Sequence, residues 1–401
     1  MRILTFSTLY PSSVRPTHGI FVETRLRKLL ETNAVCARVL APSPWFPFKS
    51  PKLGDYSVFA SVPLTEHRHG LQIDHPRYLL LPKIGMSSAP VTLFAGALPL
   101  LRKQIQEGGD FDLIDAHYFY PDGVAAVLLG RVLGRPVVIT ARGDDLDLIS
   151  TYSVPRHWIQ WAAARAAGLI TVSNGLKRRL VELGTPVSRI RTLRNGVDLK
   201  QFRPQDRAAG RKGLRFNRPT ILAVGNLVPK KRHVLVVEAL PHLQGVDLAI
   251  VGEGPERGRI EAVACQLGVA DRVRLLGRQP QQCLPEIYTA ADVLAHPSSR
   301  EGWPNVLLES MACGTPVVAG NFRGVEDIIT GPSAGRILRE ATPASLAAAV
   351  LELLNAGPSR AETRRYAAAF DWNSTSRGQL ELFTEIIQAH PRPSILARTA
   401  A

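Results

Sequence analysis

Short apolar runs alternate with helix-like stretches through nearly all of this 401-residue chain, and after residue 219 the alternation begins afresh. In the first half, residues 3–7, 37–41, 113–116, 136–140, 168–172 and 191–193 read as strands. Helices are expected between them, for example over 21–31, 123–133 and 158–167. Alternation of this kind implies parallel sheets with helices on both faces. Residues 202–219 are basic and carry Pro and Gly, the composition of a linker. Strands are then expected again at 220–224, 246–251, 272–276, 292–296 and 316–319. The fold class is therefore α/β, in two doubly wound halves with a cleft at the carboxyl ends of their strands. The division expected is 1–200 for the first domain, 201–219 for the linker and 220–371 for the second domain. A final helix over 372–389 and a loose tail over 390–401 complete it.

Composition narrows the class. With 45% apolar residues the chain can bury two cores. Cys36, Cys265, Cys283 and Cys313 show no paired spacing, so neither a zinc site nor a disulfide framework is indicated, and a reducing compartment is expected. The apolar stretch 89–101 is interrupted by Pro90 and Pro99 and falls short of the ~20 residues a spanning helix needs. The net charge is +15, and the first 200 residues hold 25 basic against 15 acidic residues. Such a basic half suits phosphorylated substrates or anionic lipid. No zinc-finger or RNP-type pattern accompanies it, so no nucleic-acid partner is expected.

The densest chemistry lies between Arg300 and Ala319. Glu301 and Glu309 flank a Gly-Trp-Pro-Asn turn that opens a helical run, which Gly314, Thr315 and Pro316 end. Pro304 suits the first helical position, and the amides that follow form an anion site. Two carboxylates at different depths around such a site can take two sets of hydroxyls on either side of a phosphate. A solvated glutamate face is the plain alternative for an E-x7-E spacing taken alone.

Further motifs accompany it in order: the 11–21 loop, Asp115-Ala116-His117, Thr171-Val172-Ser173-Asn174 and Arg194-Asn195-Gly196-Val197-Asp198. Gly225-Asn226 through Lys230-Lys231, Gly252-Glu253-Gly254-Pro255 and Leu276-Gly277 follow. With this set, residues 1–387 resemble the family 4 glycosyltransferases of the GT-B architecture, also called glycosyl transferases group 1. The resemblance implies two Rossmann-like domains, with the last helix crossing back to the N-terminal one. It implies a retaining transfer of a sugar from a nucleotide diphosphate donor to a hydroxyl of a lipid-linked, polysaccharide or small acceptor. By the same resemblance Glu301 accepts from the donor sugar, Glu309 from the ribose, and Lys231 pairs with the pyrophosphate. Backbone around Pro304, Asn305 and Val306 meets that pyrophosphate, Gly277 and Arg278 face the base, and Gly19 lets backbone approach the donor phosphate or acceptor. Neither a cofactor nor a metal is implied, and no protein nucleophile. The setting implied is cytoplasmic, with possible peripheral contact at the inner face of an anionic membrane.

Four positions depart from the pattern. Asn226 stands where an arginine often assists the lysine. Arg142, with Gly143, replaces a His-Gly pair and either faces phosphate as a cation or serves a different acceptor. His18 precedes Gly19 where a second glycine is common, and Arg232 replaces a glycine after Lys231. His117 ends a strand, as a site residue or a structural histidine. Asp145-Leu146-Asp147 invites a metal-binding D-x-D reading, but helix capping accounts for it. Gly252-Glu253-Gly254 lacks the third glycine of a dinucleotide fingerprint, since Arg257 holds that place. The helix over 21–31 carries Arg25, Arg27 and Lys28, which suit either packing or an anionic lipid surface. Two other functions fit the same motifs: a non-catalytic nucleotide-sugar-binding scaffold and a nucleotide-sugar epimerase.

Overall fold

Residues Arg2–Phe6 form an inner strand of an eight-stranded sheet, with four of the five side chains buried. Its neighbours are Cys36–Leu40 on one side and Leu113–His117 on the other, both parallel. Beyond Leu113–His117 lie Val137–Ala141, Gly168–Thr171 and Ile190–Thr192, again parallel. The opposite edge is Leu71–Asp74 and then Thr65–Arg68, which pairs antiparallel. That polar edge strand carries no apolar run, so periodicity could not announce it. The computed structural model describes residues 1–46, 55–80 and 85–391.

The chain divides into two units, Met1–Arg194 with the segment from Asn373 onward, and Asn195–Trp372. The stretch read as a linker belongs to the second unit, where Arg207–Leu214 is a helix capped by Asp206. In the second unit a six-stranded parallel sheet has the order Val273–Gly277, Asp247–Val251, Thr220–Val224, Val293–His296, Val317–Ala319 and Gly335–Ile337. In chain order this is 3-2-1-4-5-6, the doubly wound arrangement whose crevice opens where strands 1 and 4 diverge. Five of its strands were expected; the three-residue Gly335–Ile337 was not.

Trp372–Ala389 forms the last helix and packs its Leu382, Phe383 and Ile386 into the core of the first unit with Ile3, Leu26 and Leu113. The interrupted apolar stretch is part of a 22-residue helix, Gly85–Gln106, which contains both prolines. No helix among the described residues is long and apolar enough to cross a membrane. Of the three cations for which packing and a lipid surface were both open, Arg25 is 1% exposed and belongs to the packed face. The tail from residue 392, and residues 47–54 within the N-terminal loops, lie outside the described residues.

Candidate functional site

In the second unit the loops after strands Thr220–Val224 and Val293–His296 leave adjacent carboxyl ends, because Leu222 is paired with Leu294. The backbone N–H and hydroxyl of Ser299 both donate to Lys230 O, at 2.9 and 3.3 Å, tying the two loops together. This brings Lys231 Nζ to 2.5 Å from Glu301 Oε1. His296 Nε2 lies 3.0 Å from the same oxygen. Glu301 Oε2 takes no hydrogen bond from any described residue. Burial opposes ionisation of Glu301, but the charge of Lys231 and the hydrogen bond from His296 outweigh it and hold the carboxyl well below its usual range. The side chain is thus a fixed acceptor, half satisfied by protein.

The helix Asn305–Ala312 starts four residues after Glu301, with Pro304 at its N-cap and not at its first helical position. The first local bond runs from Leu307 N to Pro304 O at 3.1 Å. The amides of Asn305 and Val306 therefore precede the hydrogen-bonded turn and point out of the helix end. Glu309 stands in the second turn, where Tyr288 Oη donates to its Oε2 at 2.9 Å. Burial pushes the Glu309 carboxyl up to about 7, against the pull of that hydrogen bond. Gly277 ends strand Val273–Gly277 with φ 68°, and its carbonyl accepts from Gly252 N at 2.9 Å. Arg278 and Asn226 are exposed, and neither side chain bonds to a described residue.

A separate cluster occupies the first unit. Strand register pairs His117 with Thr140, which sets Arg142, two residues on, beside the histidine. Arg142 Nη2 donates to His117 Nδ1 at 2.6 Å, and His117 Nε2 donates to Asp115 Oδ2 at 3.1 Å. Burial, with Asp115 partly countering it, pushes the imidazole down to about 4. His117 is therefore neutral, with both nitrogens engaged, and is 1% exposed. Arg142 also lies over the Phe21 ring at 5.3 Å. Phe21 follows Gly19, the N-cap of helix Ile20–Leu30, whose φ is 67°. A Cβ on Gly19 would stand 2.2 Å from Leu9 O, so only glycine fits. The acidic run folds onto backbone: Asp145 accepts from Gly143 N at 2.7 Å and Phe119 N at 2.7 Å. Among the described residues no group of three or more His, Cys, Asp or Glu is placed to hold a metal ion.

Sequence reasoning missed several polar residues here. His296 could have been noticed as the polar end of an expected strand. Tyr288 and Gln379 carry no signal, since each sits on a helix otherwise spent on packing. Asp122 is fully buried and accepts from Thr8 N and Thr8 Oγ1, both at 3.0 Å. Burial raises its carboxyl to about 8.

Comparison with known proteins agrees with this layout. Residues 56–201 match the family described as Glycosyltransferase Family 4, and residues 205–370 match Glycosyl transferases group 1. The D-inositol 3-phosphate glycosyltransferase of Mycobacteroides abscessus is 32% identical over 331 residues, covering 76% of this chain and 74% of its own length. A putative teichuronic acid biosynthesis glycosyltransferase of Bacillus subtilis, TuaC, is 28% identical over 338 residues, covering 82% and 83%. Among solved structures, sucrose-phosphate synthase of Thermosynechococcus elongatus superimposes with a TM-score of 0.79 at 19% identity, over 97% of this chain and 99% of that one. Anabaena HepE, solved with UDP and glucose, gives 0.73 at 19% identity over 96% and 100%. Two family matches spanning most of the chain, and relatives at this identity, make it a glycosyltransferase of the group 1, family 4 class with the GT-B fold.

Proposed function

We propose that the chain transfers a sugar from a nucleotide diphosphate donor to an acceptor hydroxyl with retention of anomeric configuration. The observation that carries the reading is the Lys231–Glu301 pair at 2.5 Å, beside the open amides of helix Asn305–Ala312 at the strand-order switch point. A pyrophosphate at those amides attracts Lys231 away from Glu301 and neutralises the lysine in its place. Glu301 then accepts from the transferred sugar, while His296 keeps its orientation. The second-turn position of Glu309 suits ribose hydroxyls, with Tyr288 holding one of its oxygens. Gly277 and Arg278 border the place left for the base.

Leaving-group departure then rests on Lys231 and the helix end, which meet the negative charge as it grows on the phosphate. The anomeric carbon–oxygen bond to phosphate breaks, and the new bond to the acceptor oxygen forms on the same face. The acceptor proton passes to the departing phosphate oxygen, so no protein base is called on. Each charge-assisted hydrogen bond contributes roughly 1.5–3 kcal/mol, so loss of the Glu301 carboxylate lowers turnover about 10- to 100-fold. The solved relative with UDP and glucose, and a starch synthase solved with ADP and acarbose, direct the first choice of donors.

The test is a thermal-shift panel of UDP-, GDP-, ADP- and dTDP-sugars, with Glu309→Ala in parallel. A shift selective for one nucleotide and lost in the variant supports the reading. Absence of any shift across the panel sinks the donor assignment.

A further inference from the structure

The last helix does more than fill the core of the first unit. Its Gln379 is 1% exposed and stands between two buried charges. Gln379 Oε1 accepts from Arg25 Nε at 2.9 Å, and Gln379 Nε2 donates to Asp115 Oδ2 at 3.1 Å. A guanidinium only donates and an ionised carboxylate only accepts, so the amide has a single workable orientation. A carboxamide is the group that meets both; glutamate loses the donor and methionine loses both functions.

Asp115 Oδ2 consequently carries two donors, Gln379 Nε2 and His117 Nε2, whereas Asp115 Oδ1 is buried without a hydrogen bond. Burial opposes ionisation of Asp115, and His117, Arg25 and Arg142 together override it. An ionised Asp115 keeps the His117 proton on Nε2 and leaves the Nδ1 lone pair facing Arg142. In the other tautomer, an N–H would confront the Arg142 N–H, and the guanidinium would move away. The order of these contacts runs from the last helix to the strand end: Arg25, Gln379, Asp115, His117, Arg142.

We infer that Gln379 is a positioning residue that, through Asp115 and His117, fixes the place of the Arg142 guanidinium. The inference rests on the reading of Arg142 as a substrate-facing cation. His117 is then a link in the hold on Arg142 and not a proton carrier. The helix Trp372–Ala389 thereby contributes a side chain to the site cluster as well as a packing face.

The experiment compares the full-length wild type with Gln379→Met, Gln379→Glu and Arg142→Ala. Turnover is measured with the nucleotide-sugar selected by the thermal-shift panel, and the His117 tautomer by imidazole ¹⁵N NMR. The expected result for Gln379→Met is a kcat at least 10-fold lower with the donor KM within about twofold, by analogy with loss of an oriented charge, and a mixed His117 tautomer. A merely structural glutamine lowers Tm and leaves both readouts unchanged, which overturns the inference. If Gln379→Met does not fold, Gln379→Glu decides above the pH at which its added carboxyl ionises, where it has no proton to donate to Asp115; a His117 tautomer unchanged from wild type there overturns the inference. Unchanged turnover in Arg142→Ala removes the substrate-facing reading, while the NMR arm still decides whether Gln379 sets His117.

Discussion

Two residues show how environment, more than identity, sets chemistry here. Glu309 is an ordinary glutamate in sequence, yet burial brings its carboxyl from 4.5 to about 7. Because the folded state holds this proton more tightly than the unfolded chain, the contribution of Glu309 to stability is fully present below pH 4.5 and is lost as pH rises through 7. Glu309→Gln is therefore expected to leave unfolding of the second unit nearly unchanged at pH 5. At pH 8 it should stabilise by on the order of 2 kcal/mol. Urea denaturation at both pH values checks this, and an equal effect at the two would contradict it. Arg232 supplies the second case. It adopts φ 53°, a left-handed conformation that costs a side-chain-bearing residue about 1–2 kcal/mol. Glycine, the residue the family resemblance leads one to expect at this place, would carry no such strain. Arg232→Gly should raise Tm of the second unit by a few degrees; a fall would show that the arginine side chain contributes more than the strain removes.

At the scale of elements, the helix Asn305–Ala312 is defined at both ends by residues visible in the sequence. Pro304 caps its start, and Gly314, at φ 84°, ends it. The Gly314 and Thr315 amides return to Met311 O at 2.9 Å and Ser310 O at 3.0 Å, a Schellman closure. A Cβ at Gly314 would stand 3.1 Å from Arg360 backbone and side chain. Gly314→Ala is expected to destabilise by about 1–3 kcal/mol, since left-handed strain and crowding add. Calorimetry of the purified variant measures it, and an unchanged second-unit transition would argue that the turn relaxes freely. The helix and its flanking carboxylates were legible because turn and capping residues announce themselves locally. What Glu301 touches was not, because Lys231 and His296 come from other loops. The Thr65–Arg68 strand and the Arg207–Leu214 helix were hidden for another reason: their burial is slight, so the apolar period is faint.

Across the whole molecule, the first unit is completed by chain that has already passed through the second. Phe383 is fully buried, and Leu382 and Ile386 nearly so, in a core shared with strands at the opposite end of the sequence. Each large apolar side chain removed from a core costs about 2–5 kcal/mol, so deleting the last helix approaches the whole ~5–15 kcal/mol stability of a domain. A chain ending at residue 372 should lose hydrogen-exchange protection in strands Arg2–Phe6 and Leu113–His117 while keeping it in Thr220–Val224. Retained protection in both sheets would refute this. The sequence by itself determined the α/β class, the restart of the strand pattern and, to within a residue, the end-points of the site helix, because periodicity, proline and glycine act within a few residues. Only the tertiary structure decided that Lys231 pairs with Glu301, that His117 lies under Arg142, and that Gln379 reaches Asp115. Those contacts join residues 70, 25 and 264 positions apart, and their separations are set by strand order and packing, which no local pattern encodes.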